Sequence, residues 1–187
     1  MRTIFFPHAA AAIIVTGILL LVYAAVQQAY RTGANDPQIQ IARDVVLKLK
    51  QNKPAGDVVT ADTVNIEESL SPFVQVYGAE NKVVASNGFI GTETPVVPAG
   101  VLAKAKADGE YMVTWQPSAQ ARTASVIIYT GIAAMPYVLA GRSLAEIEKR
   151  ESALVTMTFL CWLCCMGVIC AHGVLQAYLG KRETNKA

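Results

Sequence analysis

The chain has 187 residues, of which 53% are hydrophobic and only 16% charged, with a formal net charge of +2. That composition is too apolar for an ordinary soluble domain and places the chain among membrane proteins. Between Gln27 and Arg150, twelve Lys and Arg balance twelve Asp and Glu, so no block of basic charge is offered to nucleic acid.

The first element in chain order is an apolar run, Ile4 to Val26, free of Asp, Glu, Lys and Arg. It exceeds the roughly 7–15 residues of a signal-peptide core. It therefore reads as a retained anchor rather than a leader cleaved near Ala24 and Ala25, and Pro7 reads as the start of the span. The expected divisions are a cytoplasmic N-terminus over 1–8, a first transmembrane helix over 9–29, an extracytoplasmic domain over 30–150, a second transmembrane helix over 151–179 and a cytoplasmic tail over 180–187. Arg2 before the first span, and Lys181, Arg182 and Lys186 after the second, put both ends on the cytoplasmic side.

In the middle segment, Gly33-Ala-Asn-Asp-Pro37 supplies a capping residue, an early acid and a first-turn proline. Ile39, Ala42, Val45, Val46 and Leu49 then recur at helical spacing, predicting an amphipathic helix that ends before Pro54. A polar passage through Asp57 and Asp62 leads to Ile66-Glu-Glu-Ser-Leu70, one helical turn stopped by Pro72. Phe73-Val-Gln-Val-Tyr77 alternates apolar and polar, Gly78-Ala-Glu-Asn81 is turn material and Lys82-Val-Val-Ala-Ser86 is extended, which together predict a β-hairpin. A loop over Gly91 to Pro98 precedes a short helix from Pro98 to Ala107, closed by Gly109. Extended runs follow at Tyr111 to Gln116, Arg122 to Gly131 and Tyr137 to Gly141. The order predicts an α+β domain with an antiparallel sheet of about five strands and its helices on one side.

From Gly141 the chain reads as a helix capped by Ser143, with Glu146 three residues later, running into a second apolar stretch. That stretch, Ser152 to Gly180, again lacks Asp, Glu, Lys and Arg. At about 1.5 Å per residue it outruns a hydrocarbon core roughly 30 Å thick. Arg142, Ser143 and Glu146 then mark a helix that would carry motion of the domain into the membrane.

The hairpin residues Phe73-Val-Gln-Val-Tyr77 with Gly78-Ala-Glu-Asn81-Lys82-Val-Val-Ala85, and the exit Tyr137-Val-Leu-Ala-Gly-Arg-Ser-Leu-Ala-Glu-Ile-Glu148, resemble the extracytoplasmic PAS-like sensor domains of the Cache or PDC type. Such domains sit between two membrane helices of bacterial histidine kinases and chemoreceptors. The resemblance implies a PAS/Cache-like fold over Ala34 to Arg150, a periplasmic location on the inner membrane and a sensory or interaction role. It also implies a ligand pocket between the sheet and the loop above it. Unlike those kinases, the sequence carries no phosphoacceptor histidine or nucleotide domain after its second span. The expectation is therefore a non-enzymatic module that relays through a separate membrane or signalling protein.

Only two histidines, His8 and His172, occur, both beside or within the apolar runs, and the four cysteines all lie in the second. The middle domain therefore has no His or Cys for triad catalysis or ordinary zinc ligation, and no disulfide framework. Glu67-Glu68 is the closest carboxylate pair, but helical neighbours diverge and a solvated face explains it. No phosphate-binding glycine loop is present. No cofactor is expected. In a PAS-like pocket, Tyr77, Tyr111, Trp115, Arg122 and Tyr129 would meet a small molecule, with Arg122 holding a carboxylate. The same aromatics also read as sheet-face core, and Arg122 as a solvated strand-end charge.

On the second span, Cys161, Cys165, His172 and Gln176 fall within about 60° of one another, with Thr158 and Cys164 at the margins. One reading gives Cys161, Cys164, Cys165 and His172 a metal, haem or redox role, which would make this a membrane redox or metal protein. Against it, His172 stands about 11 Å along the axis from Cys165. In the other reading the cysteines are small apolar fillers. Gly167-x-x-x-Ala171 and Gly173-x-x-x-Ala177 allow close helix contact, either with the first span or with a second copy in a homodimer. A structural subunit of a larger membrane complex is the third reading of the whole chain.

Overall fold

The computed structural model describes residues 2–33 and 36–184. The expected cap at Asn35 and the basic Lys186 lie outside the described residues. The elements are α1 (Arg2–Gly33), α2 (Asp36–Lys50), α3 (Ala55–Val58), β1 (Val64–Asn65), β2 (Phe73–Tyr77), β3 (Val83–Ser86), β4 (Gly88–Phe89), α4 (Ala99–Asp108), β5 (Glu110–Trp115), β6 (Thr123–Tyr129), β7 (Tyr137–Ser143) and α5 (Ala145–Thr184). They form two compact units, one of residues 31–148 and one of residues 1–30 with 149–187.

The first unit is α+β. Its five-stranded sheet has the order β3-β2-β7-β6-β5, and every neighbouring pair is antiparallel. The β2–β3 hairpin turns through Asn81, whose φ of 59° is the left-handed conformation that asparagine tolerates. The last strand, β7, is inserted between β2 and β6.

Helices cover both faces of this sheet, not one as the element order suggested. The reason lies in β2, β6 and β7, which are apolar in both directions. Phe73, Tyr77, Ile127, Tyr137 and Leu139 pack with Leu102 and Ala105 of α4 on one face. Val74, Val76, Val138 and Ala140 pack with Ala42, Val45, Val46 and Leu49 of α2 and Val58 of α3 on the other. A strand buried on both sides needs a second layer on each. On α2 the inward position one turn before Ala42 is held by Gln38 rather than Ile39. Gln38 is only 1% exposed and, among the described residues, its side-chain amide makes no hydrogen bond.

Two small elements escaped the sequence pattern, the single turn α3 and the parallel pair β1–β4. Asn87 ties them to the sheet. Its Oδ1 accepts the Val74 N–H at 2.7 Å, and its Nδ2 donates to Thr60 Oγ1 at 2.7 Å and to the Asp62 carbonyl at 3.2 Å. Residues Ile66–Glu68 form a hydrogen-bonded turn after β1, as the sequence suggested, with Ser69 N–H reaching the Asn65 carbonyl at 2.8 Å.

The second unit pairs α1 with the 149–184 part of α5. Phe6–Tyr30 and Ala145–Arg182 are each long and apolar enough to cross a membrane, with mean hydropathies of 2.5 and 2.2. Pro7 lies inside α1 rather than at its start. It removes one helical N–H in the second turn of the helix.

Gly141 is required by close approach. A Cβ there would overlap the Phe73 ring and stand 2.9 Å from Ser125 Oγ. Gly141→Ala is expected to destabilise the sheet unit by about 1–3 kcal/mol through overpacking, measured as a lower denaturation midpoint of the full chain, whereas exposed Gly56→Ala, which meets nothing within 4 Å, should leave it almost unchanged.

Candidate functional site

Strand pairing decides which of the expected residues meet. Tyr77 of β2, Tyr111 and Trp115 of β5 and Tyr129 of β6 all project from the face packed by α4. Tyr77 is registered with Tyr137, and Tyr137 with Tyr129, so three tyrosines form one row across β2, β7 and β6. The Tyr129 and Tyr137 ring centroids are 5.6 Å apart. Tyr111 is registered with Ile127, one row along. Trp115 is registered with Thr123, six residues from Tyr129 on β6, or about 20 Å at strand rise. Trp115 and Tyr129 therefore do not share one small-molecule site.

Arg122 stands apart from these aromatics. It is exposed just before β6, and its Nη1 donates to Glu148 Oε1 at 2.6 Å. The structure thus engages it with a carboxylate of its own chain.

Under the tyrosine row lies a buried polar chain that the sequence pattern did not announce. Gln75, the polar residue in the middle of that strand, is fully buried between Phe73 and Tyr77 on the same face. Its Nε2 donates to the Pro95 carbonyl at 2.9 Å, and its Oε1 accepts the Tyr77 hydroxyl at 2.8 Å. The Tyr77 oxygen in turn accepts the Val97 N–H at 3.3 Å. These bonds hold the 91–98 loop against the sheet. Burial pushes the Tyr77 phenol up from 10.0 to about 12, while the Val97 N–H acts in the opposite direction.

A second constellation sits where the sheet ends. Arg142 and Ser143, expected in the exit helix, belong to β7 and pair with Ala124 and Thr123. Of the three residues named for that helix only Glu146 is helical. The strand is longer than its apolar run because its ladder with β6 continues through residues whose side chains reach the surface. Ser143 is not the cap residue: the first helical bond runs from the Glu148 N–H to the Leu144 carbonyl at 2.9 Å, and the Ser143 hydroxyl oxygen accepts the Ala145 N–H at 3.3 Å from one position further back. The Leu144 N–H donates to the Arg122 carbonyl at 2.8 Å, and Arg142 Nε donates to the Leu70 carbonyl at 2.9 Å. Sheet and helix α5 are thus separated by one residue, itself hydrogen-bonded to the strand-end loop.

In the helical unit side-chain hydrogen bonds join α1 and α5 near both ends and in the middle of the pair. His8 meets His172 with 3.1 Å between Nε2 and Nδ1, Trp162 Nε1 donates to Thr16 Oγ1 at 3.0 Å, and Gln27 Nε2 donates to Glu151 Oε1. The two helices therefore run antiparallel in a fixed register. From His8 to Gln27 is about 28 Å of helix, and from Glu151 to His172 about 31 Å, close to one hydrocarbon thickness. The half-buried residues of α5 at Leu154, Thr158, Trp162, Cys165, Ile169 and Gly173 form the seam toward α1. Cys165 lies on it, whereas Cys161, Cys164 and Cys170 are exposed. Among the described residues no three His, Cys, Asp or Glu side chains gather as a metal cluster. Cys161 and Cys165, one helical turn apart, are in contact, and among the described residues no metal-holding cluster joins them to His172.

No family model, curated protein or solved structure matches this chain.

Removing the Tyr77 hydroxyl leaves the Gln75 oxygen and the Val97 N–H without it, so Tyr77→Phe should cost about 1–3 kcal/mol near neutral pH. Because the fold favours the neutral phenol, this stabilisation is complete below pH 10 and is lost as pH rises toward 12. Urea midpoints of wild type and Tyr77→Phe should therefore converge across that interval, and a constant gap would show that Tyr77 does not titrate as placed here.

Proposed function

We propose that this chain is a two-pass protein of a bacterial inner membrane, with both termini cytoplasmic and a PAS/Cache-like α+β module in the periplasm. In this reading the module has no catalytic role. It acts as a sensory or interaction domain whose state passes through α5 to a separate membrane or signalling protein. The single observation that carries the proposal is the junction of β7 with α5, where one residue separates a central strand from a 40-residue helix. A strand held by pairing on both sides cannot move without carrying that helix start with it.

Other features support the reading. The sheet has five antiparallel strands, the β2–β3 hairpin carries the residues that resemble the sensor family, and both end helices have the length and hydropathy of membrane spans. The aromatic face is packed by the chain's own side chains, which favours recognition of a partner protein at the module's surface over enclosure of a small molecule. The membrane contacts of this reading are lipid along the outward faces of α1 and α5, where Ile14, Leu21, Phe159 and Leu160 are exposed.

The topology is tested by single cysteines in a background whose four native cysteines are replaced by serine. Glu80→Cys, in the exposed hairpin turn, should react with a membrane-impermeant maleimide on intact spheroplasts, and Lys181→Cys should react only after permeabilisation. The reverse pattern would place the module in the cytoplasm and remove the sensor reading.

A further inference from the structure

The sheet has two outer strands, and they are built differently. β3 is four residues long, follows Lys82 and lies beside a register shift between Val76 and Tyr77 of β2. Short length, a lysine and a bulge are the usual means of blunting an edge. β5 has none of them. Its six residues, Glu110-Tyr-Met-Val-Thr-Trp115, pair with β6 in unbroken register and include no Lys, Arg or Pro.

Hydrogen bonding decides which backbone groups that edge presents. The Tyr129 N–H donates to the Gly109 carbonyl at 2.8 Å, which makes 109 and 129 a hydrogen-bonded pair. By antiparallel alternation the N–H and C=O of Tyr111, Val113 and Trp115 then point toward β6, and those of Glu110, Met112 and Thr114 point outward. Among the described residues no strand pairs with that outer side. The edge is thus a row of alternating donors and acceptors that another extended backbone would satisfy. Met112 beside it is 50% exposed, and Tyr111 and Val113 are only partly buried on the opposite face. One end of the row is acidic. Arg43 Nη2 is paired with Glu110 Oε2 at 3.1 Å, and Arg43 also lines a recess of about 450 Å³ on α2 with Asp36, Ile39, Gln40 and Asp44. With Arg43 balanced by Glu110, the two aspartates leave that recess negative.

We propose that the outer edge of β5 receives an extended segment of a partner protein as a sixth, antiparallel strand, with apolar side chains at alternate positions over Tyr111 and Val113 and a basic side chain at the end that passes Glu110. Main-chain bonds hold an added strand of this kind, and its alternate side chains select it. The basic residue answers Asp36 and Asp44. This rests on the reading of the sheet unit as an interaction module and names the kind of partner it takes. A second copy of the chain is not the occupant. Pairing β5 with itself about a twofold axis would reverse one β7 against the other and send the two α5 starts to opposite ends of the joined sheet, whereas both helices must enter one bilayer.

The test pans a phage-displayed library of random linear peptides against the full chain in detergent micelles. Enriched peptides should alternate apolar and polar residues and carry Lys or Arg at one end, and the strongest, made synthetically, should bind saturably by fluorescence anisotropy. Met112→Pro removes an outward N–H and leaves the β6 ladder whole, because proline is tolerated on an edge. It should keep the denaturation midpoint near that of wild type and weaken the peptide about tenfold or more. Val113→Pro deletes an inward N–H and should instead unfold the sheet unit. The peptide itself decides the matter even if Met112→Pro does not fold: N-methylation of the alternate amides that face β5 should abolish binding, and methylation of the others should spare it. Asp36→Asn with Asp44→Asn should weaken only peptides that keep their basic end. No enriched peptide, a consensus of helical period, binding indifferent to Met112→Pro or to both methylation patterns, or cross-linking of two copies through Met112→Cys in the cysteine-free background would each overturn the proposal. Failure of peptide binding alongside the expected labelling of Glu80→Cys and Lys181→Cys defeats this inference alone and leaves the two-pass reading standing.

Discussion

Strand β7 is paired along its whole length with β6 and from Tyr137 to Gly141 with β2, between two apolar layers. A one-residue slip would exchange Leu139 and Tyr137 with Val138 and Ala140, sending each set into the wrong layer. The register is therefore fixed from both edges and both faces at once. Gly141 adds a steric condition, since only a residue without Cβ admits the Phe73 ring beside it. The Leu144 N–H is bonded to the Arg122 carbonyl and the Ser143 hydroxyl accepts the Ala145 N–H, so the end of the strand is tied to the residues that follow it. The exposed Arg122–Glu148 pair adds little energy of its own, about 0–1 kcal/mol. Its effect is to direct the first turn.

How much of this could be read from the chain differs by element. The 3.6-residue spacing of Ala42, Val45, Val46 and Leu49 was enough for α2, and Pro98 with Gly109 bounded α4 closely. The five main strands were legible because Val, Ile, Tyr and Thr cluster between turn residues. The layers were not. Gln75 resembles a solvent-facing position, yet it is buried because its amide and the Tyr77 hydroxyl satisfy each other and the 91–98 loop. Gln38 misleads in the same way without such a partner among the described residues. β1 and β4 had no local signal, since a two-residue parallel pair is created by the surrounding fold and by Asn87 rather than by propensity.

The candidate site was legible in residue type and face but not in distance. Tyr77, Tyr111, Trp115 and Tyr129 do share one side of the sheet, because the strand registers bring their positions onto the same face. Spacing along the strands then separates Trp115 from the tyrosine row, which no composition argument reveals. Arg122 joins that group in sequence as an arginine able to hold a carboxylate at the start of an extended run, whereas in the structure its ion pair is with Glu148. The polar stripe on the second apolar run was also only partly informative. It grouped His172 with cysteines of its own helix, whereas its nearest imidazole partner comes from α1.

That last contact changes how the second unit is to be understood. Helices in lipid gain no hydrophobic energy by touching, so their register rests on van der Waals fit and on hydrogen bonds worth about 0.6 kcal/mol each on average. Here three such contacts, His8 with His172, Thr16 with Trp162 and Gln27 with Glu151, agree on one antiparallel register. Each would be lost in a register shifted by a turn, so together they select it more sharply than any one could. The pairing takes up one side of α5, the side that carries Cys165 and Gly173. Gly167 faces open space, with nothing within 4 Å of the Cβ it lacks, so the two small-residue pairs that look alike in sequence are not equivalent. Gly173 makes room for a side chain of the same molecule, and Gly167 with Cys161, Cys164 and Cys170 is left on the outward surface.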